Sequence, residues 1–364
     1  MINRILKETG AGLFIIIAVI FFIALISLYS ASHRPGEEMA KNFALQQTVW
    51  IAAGFCILIF TVLFGYERSL DYAYAIFAVN ILLLILVLAV GSIRFGAKRW
   101  LSLGLFSLQP SEICKVSYIL ALVKYVADNS DRVNSIRVFV TSLLICVVPL
   151  ILIIKQPDLG TAVVFLPVLL VVLFVAGLRK RYVFWFFLTS IISSPFLWSI
   201  LKGYQKKRLL VFLNPNADPL GAGYTIIQSK IAVGSGGILG KGWLSGTQNQ
   251  LNFLPERHTD FIFSVIGEEW GFLGALAVLI LFLFLIRRLL NIGDTTNDIR
   301  GKLLIIAIVT LLWFHVFVNI SMTIGLMPVV GIPLPLMSYG GSNLLTTLIL
   351  IGLAISVQFR RKVF

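Results

Sequence analysis

The stretch GLFIIIAVIFFIALISL, from Gly12 to Leu28, contains no ionisable side chain. An apolar run of about 20 residues is long enough to cross the hydrocarbon core of a bilayer as a helix. Arg4 and Lys7 precede it and small residues follow, as in a secretory signal peptide. The run exceeds the usual apolar segment of such a peptide, so we predict a retained first transmembrane helix.

Similar runs recur along the whole chain, in which 59% of the 364 residues are hydrophobic and 13% are charged. A soluble domain has about half apolar and a quarter charged residues. The composition therefore predicts an all-α integral membrane protein, with one polytopic membrane domain over residues 1–364. About ten spans are predicted, near residues 12–31, 48–65, 71–91, 109–127, 137–154, 159–177, 182–200, 262–286, 303–325 and 343–359.

The basic residues predict the orientation of these spans. With the N-terminus in the cytoplasm, sixteen Lys and Arg lie in cytoplasmic segments and six in short outer loops. Cytoplasmic loops carry the excess of basic residues in membrane proteins. We therefore predict cytoplasmic N- and C-termini and one long extracytoplasmic loop, about residues 201–261. The formal net charge of +14 is explained by topology and anionic lipid, not by nucleic acid.

The long loop contains the glycine-rich segment VGSGGILGKGW. A phosphate-binding P-loop requires GxxxxGK followed by Ser or Thr. Here Gly242 follows Lys241, and Ser235 occupies the position of the first glycine. The segment therefore does not predict a nucleotide site.

Two opposite charges lie in the apolar segment QPSEICKVSYILALV. Glu112 and Lys115 are three residues apart, so they share one helix face and can form an ion pair. A charge at membrane depth costs about 3 kcal/mol unless it is partnered or faces water. A structural ion pair and the polar wall of a cavity both fit this spacing. The free-energy cost of the two charges favours the polar wall, which is the functional alternative.

Three further polar segments lie at the outer ends of predicted spans. In FGAKRWLSLG, Lys98, Arg99 and Trp100 either anchor the chain at the interface or bind a lipid-linked anion. In KQPDLGTAV, Asp158 either only caps the next helix or has a further role. The uncharged segment GLMPVVGIPLPLMSYGGSN is either a re-entrant connection packed in protein or a mobile gate over an acyl chain.

The segment LPERHTDFIF, residues 254–263, precedes the eighth predicted span. Its ionisable side chains are Glu256, Arg257, His258 and Asp260. Asp260 is either the N-cap of a helix that starts near Phe261 or a general base. His258 and His315 have no metal-ligand spacing, so a carboxylate is the best available base on this face.

These segments resemble the shape, elongation, division and sporulation (SEDS) family. The similarity extends in order from about residue 92 to 359 and is carried by QPSEICK, QPDLGTA, DPLGAGYTIIQSKIAVGSGG, GKGWLSGTQNQLNFLPERHTDFIFSVIGEEWG and GIPLPLMSYGGSN. FLPERHTDFIF and VVGIPLPLMSYGGS are closer to the elongation branch than to the division branch. The first ninety residues match only in hydropathy.

The resemblance implies a ten-helix peptidoglycan glycosyltransferase, multi-pass in the bacterial cytoplasmic membrane. Such an enzyme polymerises lipid II at the outer face during cell elongation and sets cell shape. The implied partners are a class B penicillin-binding protein, which is the transpeptidase, and other membrane proteins of the elongation complex. The site residues that the resemblance implies are Asp260, Glu112, Lys115, Trp100 and Asp158.

An inverting reaction follows from this resemblance, because the family makes β-1,4 glycan from an α-linked donor. Inversion needs one base and no carboxylate nucleophile. We expect Asp260 to accept the hydroxyl proton. Lys115, Arg99 and optionally a divalent cation (Mg or Mn) would stabilise the departing pyrophosphate, and no nucleotide would take part. A lipid II flippase and a non-catalytic scaffold for the transpeptidase are the alternatives.

Overall fold

The computed structural model describes residues 11–33, 42–94, 97–102, 107–200, 203–221 and 223–360, and these are mostly helical. Helices of four or more residues are numbered here in chain order. They are α1 (Ala11–Ser32), α2 (Phe43–Phe64), α3 (Tyr66–Asp71), α4 (Ala73–Val90), α5 (Pro110–Asp128), α6 (Ile136–Lys155), α7 (Leu159–Val175), α8 (Lys180–Ile200), α9 (Gly203–Leu213), α10 (Tyr224–Ser235), α11 (Thr247–Gln250), α12 (Ile262–Asp294), α13 (Ile299–Thr323) and α14 (Gly341–Arg360).

Each predicted span coincides with one of these helices. Seven are long and apolar enough to cross a membrane, namely α1, α2, α4, α6, α12, α13 and α14. The helix α7 is apolar but has 17 residues. The chain is therefore a multi-pass membrane protein, and the number of ten spans stays a prediction. The chain ends, which carry part of the charge bias, lie outside the described residues.

The centre of the bundle is formed by α5, α13 and α14. Nearly every side chain of α5 from Pro110 to Val123 is buried, and most of α13 and α14 is buried too. A helix that is buried on all faces lies inside the protein, away from lipid. Leu13, Ile17 and Ile20 of α1 are also buried at helical spacing, so this helix packs one face against the bundle.

The chain is mostly helical, as predicted, but the loop between α4 and α5 contains a small sheet that was not predicted. Three short strands form an antiparallel sheet in the order β1 (Ser92–Arg94), β2 (Ala97–Ser102) and β3 (Ser107–Leu108). This segment is too polar for a membrane helix. A small sheet lets its backbone groups pair with each other at the end of the bundle.

The predicted loop 201–261 is also more ordered than expected, since α9, α10 and α11 lie within it. Ile226, Ser229 and Ala232 bury one face of α10 at spacings of three residues. The Ser229 hydroxyl lies 2.7 Å from the Ser264 hydroxyl of α12 and donates to the Thr323 carbonyl at 2.6 Å. The loop is thus fixed to the helices that follow it.

The helix α12 is broken at Gly271, which has φ 67° and ψ −161°. The break leaves helical N–H and C=O groups without partners inside the helix, and lipid offers none. Residues 236–242, here called the glycine strap, supply them. Phe272 N–H donates to the Gly237 carbonyl at 2.9 Å, and Lys241 N–H donates to the Glu268 carbonyl at 3.0 Å.

Gly236 of the strap and Gly271 of α12 are required by this close approach of two backbones. A Cβ atom added at Gly271 would lie 2.6 Å from the Ile238 carbonyl oxygen, and one at Gly236 would lie 3.0 Å from the Glu268 carbonyl oxygen. Only glycine allows such contact. The glycine-rich segment is therefore part of the helix break.

Candidate active site

The turn that carries Asp260 is built on Glu256. Glu256 has a φ of 51°, in the left-handed region that is uncommon for residues other than glycine. Its carbonyl accepts the N–H groups of Thr259 and Asp260 at 3.1 Å and of Phe261 at 3.3 Å. Strained backbone of this kind persists where the surrounding structure fixes it. Asp260 is thus held at the entrance of α12.

The Asp260 side chain does not cap α12. The helix starts at Ile262, and its N-cap is Phe261, without a side-chain cap hydrogen bond. The capping alternative for Asp260 is therefore wrong. The main chain of Asp260 is fixed instead, because its carbonyl accepts a hydrogen bond from the Asn319 amide of α13 at 2.9 Å.

The electrostatic environment of Asp260 suits a general base. Burial, followed by the negative charge of Glu256, raises the pKa of the Asp260 carboxyl to about 7. Asp158 raises this pKa further, while the guanidinium groups of Arg208 and Arg99 lower it. A pKa near neutrality leaves a base that is substantially ionised and still basic enough to take a proton at pH 7.

Asp158 is the N-cap of α7 and is also part of this charge cluster. Its carboxylate accepts from the Thr161 N–H at 3.3 Å and from the Thr161 hydroxyl at 2.9 Å. Arg99 Nη1 lies 3.8 Å from Asp158 Oδ1, and Gln109 Nε2 donates to Oδ2 at 3.4 Å. Asp158 thus caps its helix and connects β2 to it, so capping is only part of its role.

Arg99 is held against the turn before α7. Its Nε donates to the Gln156 carbonyl at 3.1 Å, and its Nη2 donates to the Pro157 carbonyl. The Arg99 side chain remains 32% exposed. It can therefore meet an anionic ligand without leaving its place.

Three chain segments converge on Asp260. A Cβ atom added at Gly160 of α7 would lie 2.6 Å from the Val330 carbonyl oxygen, and one at Gly331 would lie 3.2 Å from Asp260 Oδ2. The QPDLG turn, the VVGIP segment and the Asp260 turn are therefore in close contact. Gly331 has a φ of 74°, so glycine is favoured there for its conformation as well.

The proline-rich segment after α13 is packed in protein. Ile332, Leu334 and Met337 are buried. The Tyr339 N–H donates to the His258 carbonyl at 2.9 Å, and the His258 ring stacks on Phe43 with ring centroids 4.1 Å apart. The structure thus agrees with the packed re-entrant alternative, and it ties this segment to the Asp260 turn and to α2.

The predicted pair of Glu112 and Lys115 is present and has two further partners. Lys115 Nζ lies 2.7 Å from Glu112 Oε2 and 3.2 Å from His315 Nε2. Asn343 Nδ2 donates to the same Glu112 oxygen at 3.2 Å. The four side chains are buried and come from the three central helices. With only 2% of its side chain exposed, Lys115 organises the bundle and offers no surface to a substrate.

The structure does not gather all the predicted residues at one point. Asp260, Asp158 and Arg99 share one charge cluster, whereas Glu112 and Lys115 form a second one inside the bundle. Trp100 is half-buried on β2 next to Arg99. Successive side chains of a strand point to opposite faces, so Trp100 is not on the Arg99 face that meets Asp158.

Sequence reasoning missed three residues of this region. Arg208 on the basic helix α9 influences Asp260 and donates to the Val329 carbonyl at 3.2 Å. His315 and Asn319 are one turn apart on α13 and contact Lys115 and Asp260 respectively. Polar residues inside an apolar span were the available signal for the two α13 residues.

A metal site made by protein ligands alone does not fit the described part of the chain. It holds no group of three or more His, Cys, Asp or Glu side chains arranged to bind a metal ion. The predicted divalent cation stays a prediction.

Known proteins are similar to this chain in sequence and in architecture. The family of cell cycle proteins named for FtsW, RodA and SpoVE matches residues 11–363. The peptidoglycan glycosyltransferase MrdB of Escherichia coli is 40% identical over 352 residues, which cover 96% of this chain and 93% of MrdB. The peptidoglycan glycosyltransferase RodA of Treponema pallidum is 35% identical, with 93% of this chain and 95% of RodA covered.

Two solved structures are similar over nearly the whole chain. One, described as "Structural coordination of polymerization and crosslinking by a peptidoglycan synthase complex", superposes with a TM-score of 0.81 at 34% identity, covering 97% of this chain and 98% of that one. The other is the rod shape determining protein RodA of Thermus thermophilus, with a TM-score of 0.71 at 30% identity and 96% of both chains covered.

Proposed function

This chain belongs to the FtsW, RodA and SpoVE family, the SEDS proteins, and we propose that it is a peptidoglycan glycosyltransferase with Asp260 as its general base. The relatives MrdB and RodA carry this activity in their names. The main support for assigning Asp260 as the base is the environment of its carboxyl group. This carboxyl does not cap α12, is partly buried and has a pKa raised to about 7.

The reaction joins two lipid II units. The 4-hydroxyl of one sugar attacks the anomeric carbon of another, the bond to the polyprenyl pyrophosphate breaks, and the hydroxyl proton passes to a base. Because an α-linked donor gives a β-linked glycan, the configuration inverts in one displacement. By analogy with inverting glycoside hydrolysis, such a displacement needs a carboxylate base and no covalent intermediate. The energy comes from the donor's own phosphate linkage.

Asp260 takes the proton in this scheme. Its main chain is fixed on both sides, by Glu256 through the N–H and by Asn319 through the carbonyl. A base held in place in this way loses little entropy when the acceptor sugar binds. Its pKa near 7 makes the carboxylate a stronger base than an ordinary aspartate, whose pKa is about 3.9.

Arg99 and Arg208 are suited to stabilise the departing pyrophosphate. Both guanidinium groups act electrostatically on Asp260, and they come from different elements, β2 and α9. Arginine binds phosphate oxygens in a fixed fork of N–H donors. Developing negative charge is therefore stabilised close to the base. Lys115, which the sequence predicted to stabilise the pyrophosphate, is better suited by its burial to an organising role together with Glu112.

The enzyme acts at the outer face of the bacterial cytoplasmic membrane, with residues 201–261 outside and both termini in the cytoplasm. The partner is a class B penicillin-binding protein that cross-links the new strands within the elongation complex. The description of a similar solved complex, which names both polymerization and crosslinking, supports this pairing. The charge bias of the sequence supports the orientation.

Purified protein incubated with lipid II, with and without the partner, tests the proposal. Glycan strands that disappear in the Asp260→Asn variant are the expected result. Movement of lipid II across liposome membranes without polymer formation would identify a flippase. The absence of both activities would support a non-catalytic scaffold. Asp131, an exposed residue at the far end of α5, provides a matched Asp131→Asn control that should polymerise normally.

A further inference from the structure

His315 is a buried partner of the Glu112–Lys115 pair that hydrophobic patterning does not explain. Its Nδ1 lies 2.8 Å from the Leu311 carbonyl oxygen, which can only accept a hydrogen bond. Nδ1 therefore carries the ring proton and Nε2 carries the lone pair. Nε2 faces the Lys115 ammonium at 3.2 Å and accepts a hydrogen bond from it. A neutral imidazole is required, because an imidazolium would place two cations in contact.

This contact joins two helices across the bundle centre. Glu112 and Lys115 both lie on α5, so their mutual ion pair cannot by itself fix α5 against a neighbour. Asn343 of α14 reaches Glu112, and His315 of α13 reaches Lys115. Charge-assisted hydrogen bonds are stronger and more directional than apolar contacts. The His315–Lys115 hydrogen bond therefore ties one position of α13 to one position of α5.

The same face of α13 also contacts Asp260, the proposed base. His315 and Asn319 are four residues apart, hence neighbours on one helix face about 6 Å apart along the axis. The Asn319 amide donates to the Asp260 carbonyl at 2.9 Å and to the Ile332 carbonyl at 2.7 Å. Any shift of α13 is therefore passed directly to Asp260 and to the VVGIP segment beside it.

We propose that His315 is a positioning residue of the glycosyltransferase site, which locks α13 to Lys115 and thereby sets the position of Asp260. It touches neither substrate nor reacting atoms and acts through Lys115 and Asn319. The inference rests on the proposed function, since it needs Asp260 to be the base. It also explains the buried ion pair, because the pair supplies the ammonium donor that aligns the helix carrying Asn319.

The test compares variants that keep or lose the Nε2 acceptor. Glutamine at His315 can place its amide oxygen near the position of Nε2, whereas asparagine is too short and leucine has no acceptor. We expect His315→Leu and His315→Asn to lower kcat for glycan formation about 10- to 100-fold, the scale of small misplacements of a catalytic group, with little change in KM for lipid II. His315→Gln should recover most of kcat.

A double-mutant cycle separates positioning from simple stability. If His315 acts through Lys115, the variant with His315→Leu and Lys115→Met together has the kcat of Lys115→Met alone. Additive losses overturn the inference, and so does equal kcat for the Gln and Asn variants at matched melting temperature. His33→Leu, at the end of α1, is the histidine control and should be normal. If the His315→Leu protein fails to accumulate, the comparison of kcat between His315→Gln and His315→Asn tests the positioning role.

The outcomes also separate this inference from the proposed function. Full activity of His315→Leu together with loss of activity in Asp260→Asn overturns the positioning role and leaves the glycosyltransferase intact. Absence of polymer from the unaltered protein with its partner overturns the proposed function itself.

Discussion

The backbone N–H of Asp260 donates to the carbonyl of Glu256 at 3.1 Å, while the Glu256 carboxylate raises the pKa of Asp260. One residue therefore both shapes the turn and tunes the base that the turn presents. The Glu256 side chain is 43% exposed, so its charge can be removed without opening a cavity. The backbone role and the charge role can thus be tested apart.

Replacement of Asp260 by asparagine should abolish most polymerase activity and leave folding intact. The two side chains are similar in size, and no cap is lost, because Asp260 is not the N-cap of α12. Loss of a general base costs about 10²-fold or more. The measurement is glycan formed from lipid II by purified protein with partner in excess. Full activity would move the search for the base to Asp158 or Glu256.

The pH dependence of polymerisation should follow the ionisation of Asp260. The base works only as the carboxylate, so the rate should rise with pH and reach half its maximum near the pKa of about 7. Glu256→Gln removes a like charge and should move this midpoint to lower pH. Glu67→Gln, on α3 at the other end of the bundle, should leave it unchanged. An unchanged midpoint in Glu256→Gln would contradict Asp260 as the titrating group.

Removal of Lys115 should destabilise the bundle. Lys115→Ala leaves the buried Glu112 carboxylate with Asn343 as its remaining partner, and breaking a buried pair costs about 3–5 kcal/mol. Melting in detergent should show the loss. The double variant Glu112→Gln, Lys115→Met should recover the melting temperature. Polymer formation at the normal rate by that double variant would show that the pair has no part in organising the site.

The break in α12 should be intolerant of any side chain. Gly271→Ala requires a φ of 67° and contact with the glycine strap, so we expect misfolded protein. Gly234→Ala in α10 is the matched control, because a Cβ there meets no atom within 4 Å. That change should be neutral or stabilise α10 by about 1 kcal/mol. Normal accumulation of Gly271→Ala in membranes would contradict the backbone interlock.

The orientation can be tested at Leu220, which is 90% exposed between α9 and α10. A cysteine placed there, in a chain whose three native cysteines are replaced, should react with an impermeant thiol reagent in intact cells. Labelling only after lysis would place residues 201–261 in the cytoplasm and reverse the predicted topology.

The helices of the bundle could be predicted because length and hydropathy are local properties of the sequence. The small sheet of residues 92–108 and the helices α9 to α11 were missed because they depend on contacts between residues that are distant in the sequence. Ser229, for example, looks like an ordinary loop serine, and its value lies in contacts with Ser264 and Thr323, which are distant in sequence. Tertiary contacts decide such segments, and a single sequence does not display them.

The candidate site was predicted in part. Asp260, Asp158 and Arg99 stand out as charges beside apolar runs, and the structure gathers them. The sequence left a cap and a general base open as alternatives at Asp260, and the cap was excluded only by the structure, in which Phe261 is the N-cap of α12. His315 lacked a sequence partner, since Lys115 is 200 positions away. Sequence distance hides such pairs until the helices are assembled.

The glycine strap also bears on how the chain is synthesised. Its residues leave the ribosome before α12, and the broken backbone of α12 has no partners in lipid. In the proposed orientation, α12 can pair its broken backbone only after the strap has crossed the membrane. Crosslinks between cysteines at Ile238 and Leu273 should form in arrested nascent chains that are long enough for α12 to have left the ribosome; their absence until release would contradict this order. In that orientation, translocation of the loop is a precondition for stable insertion of α12.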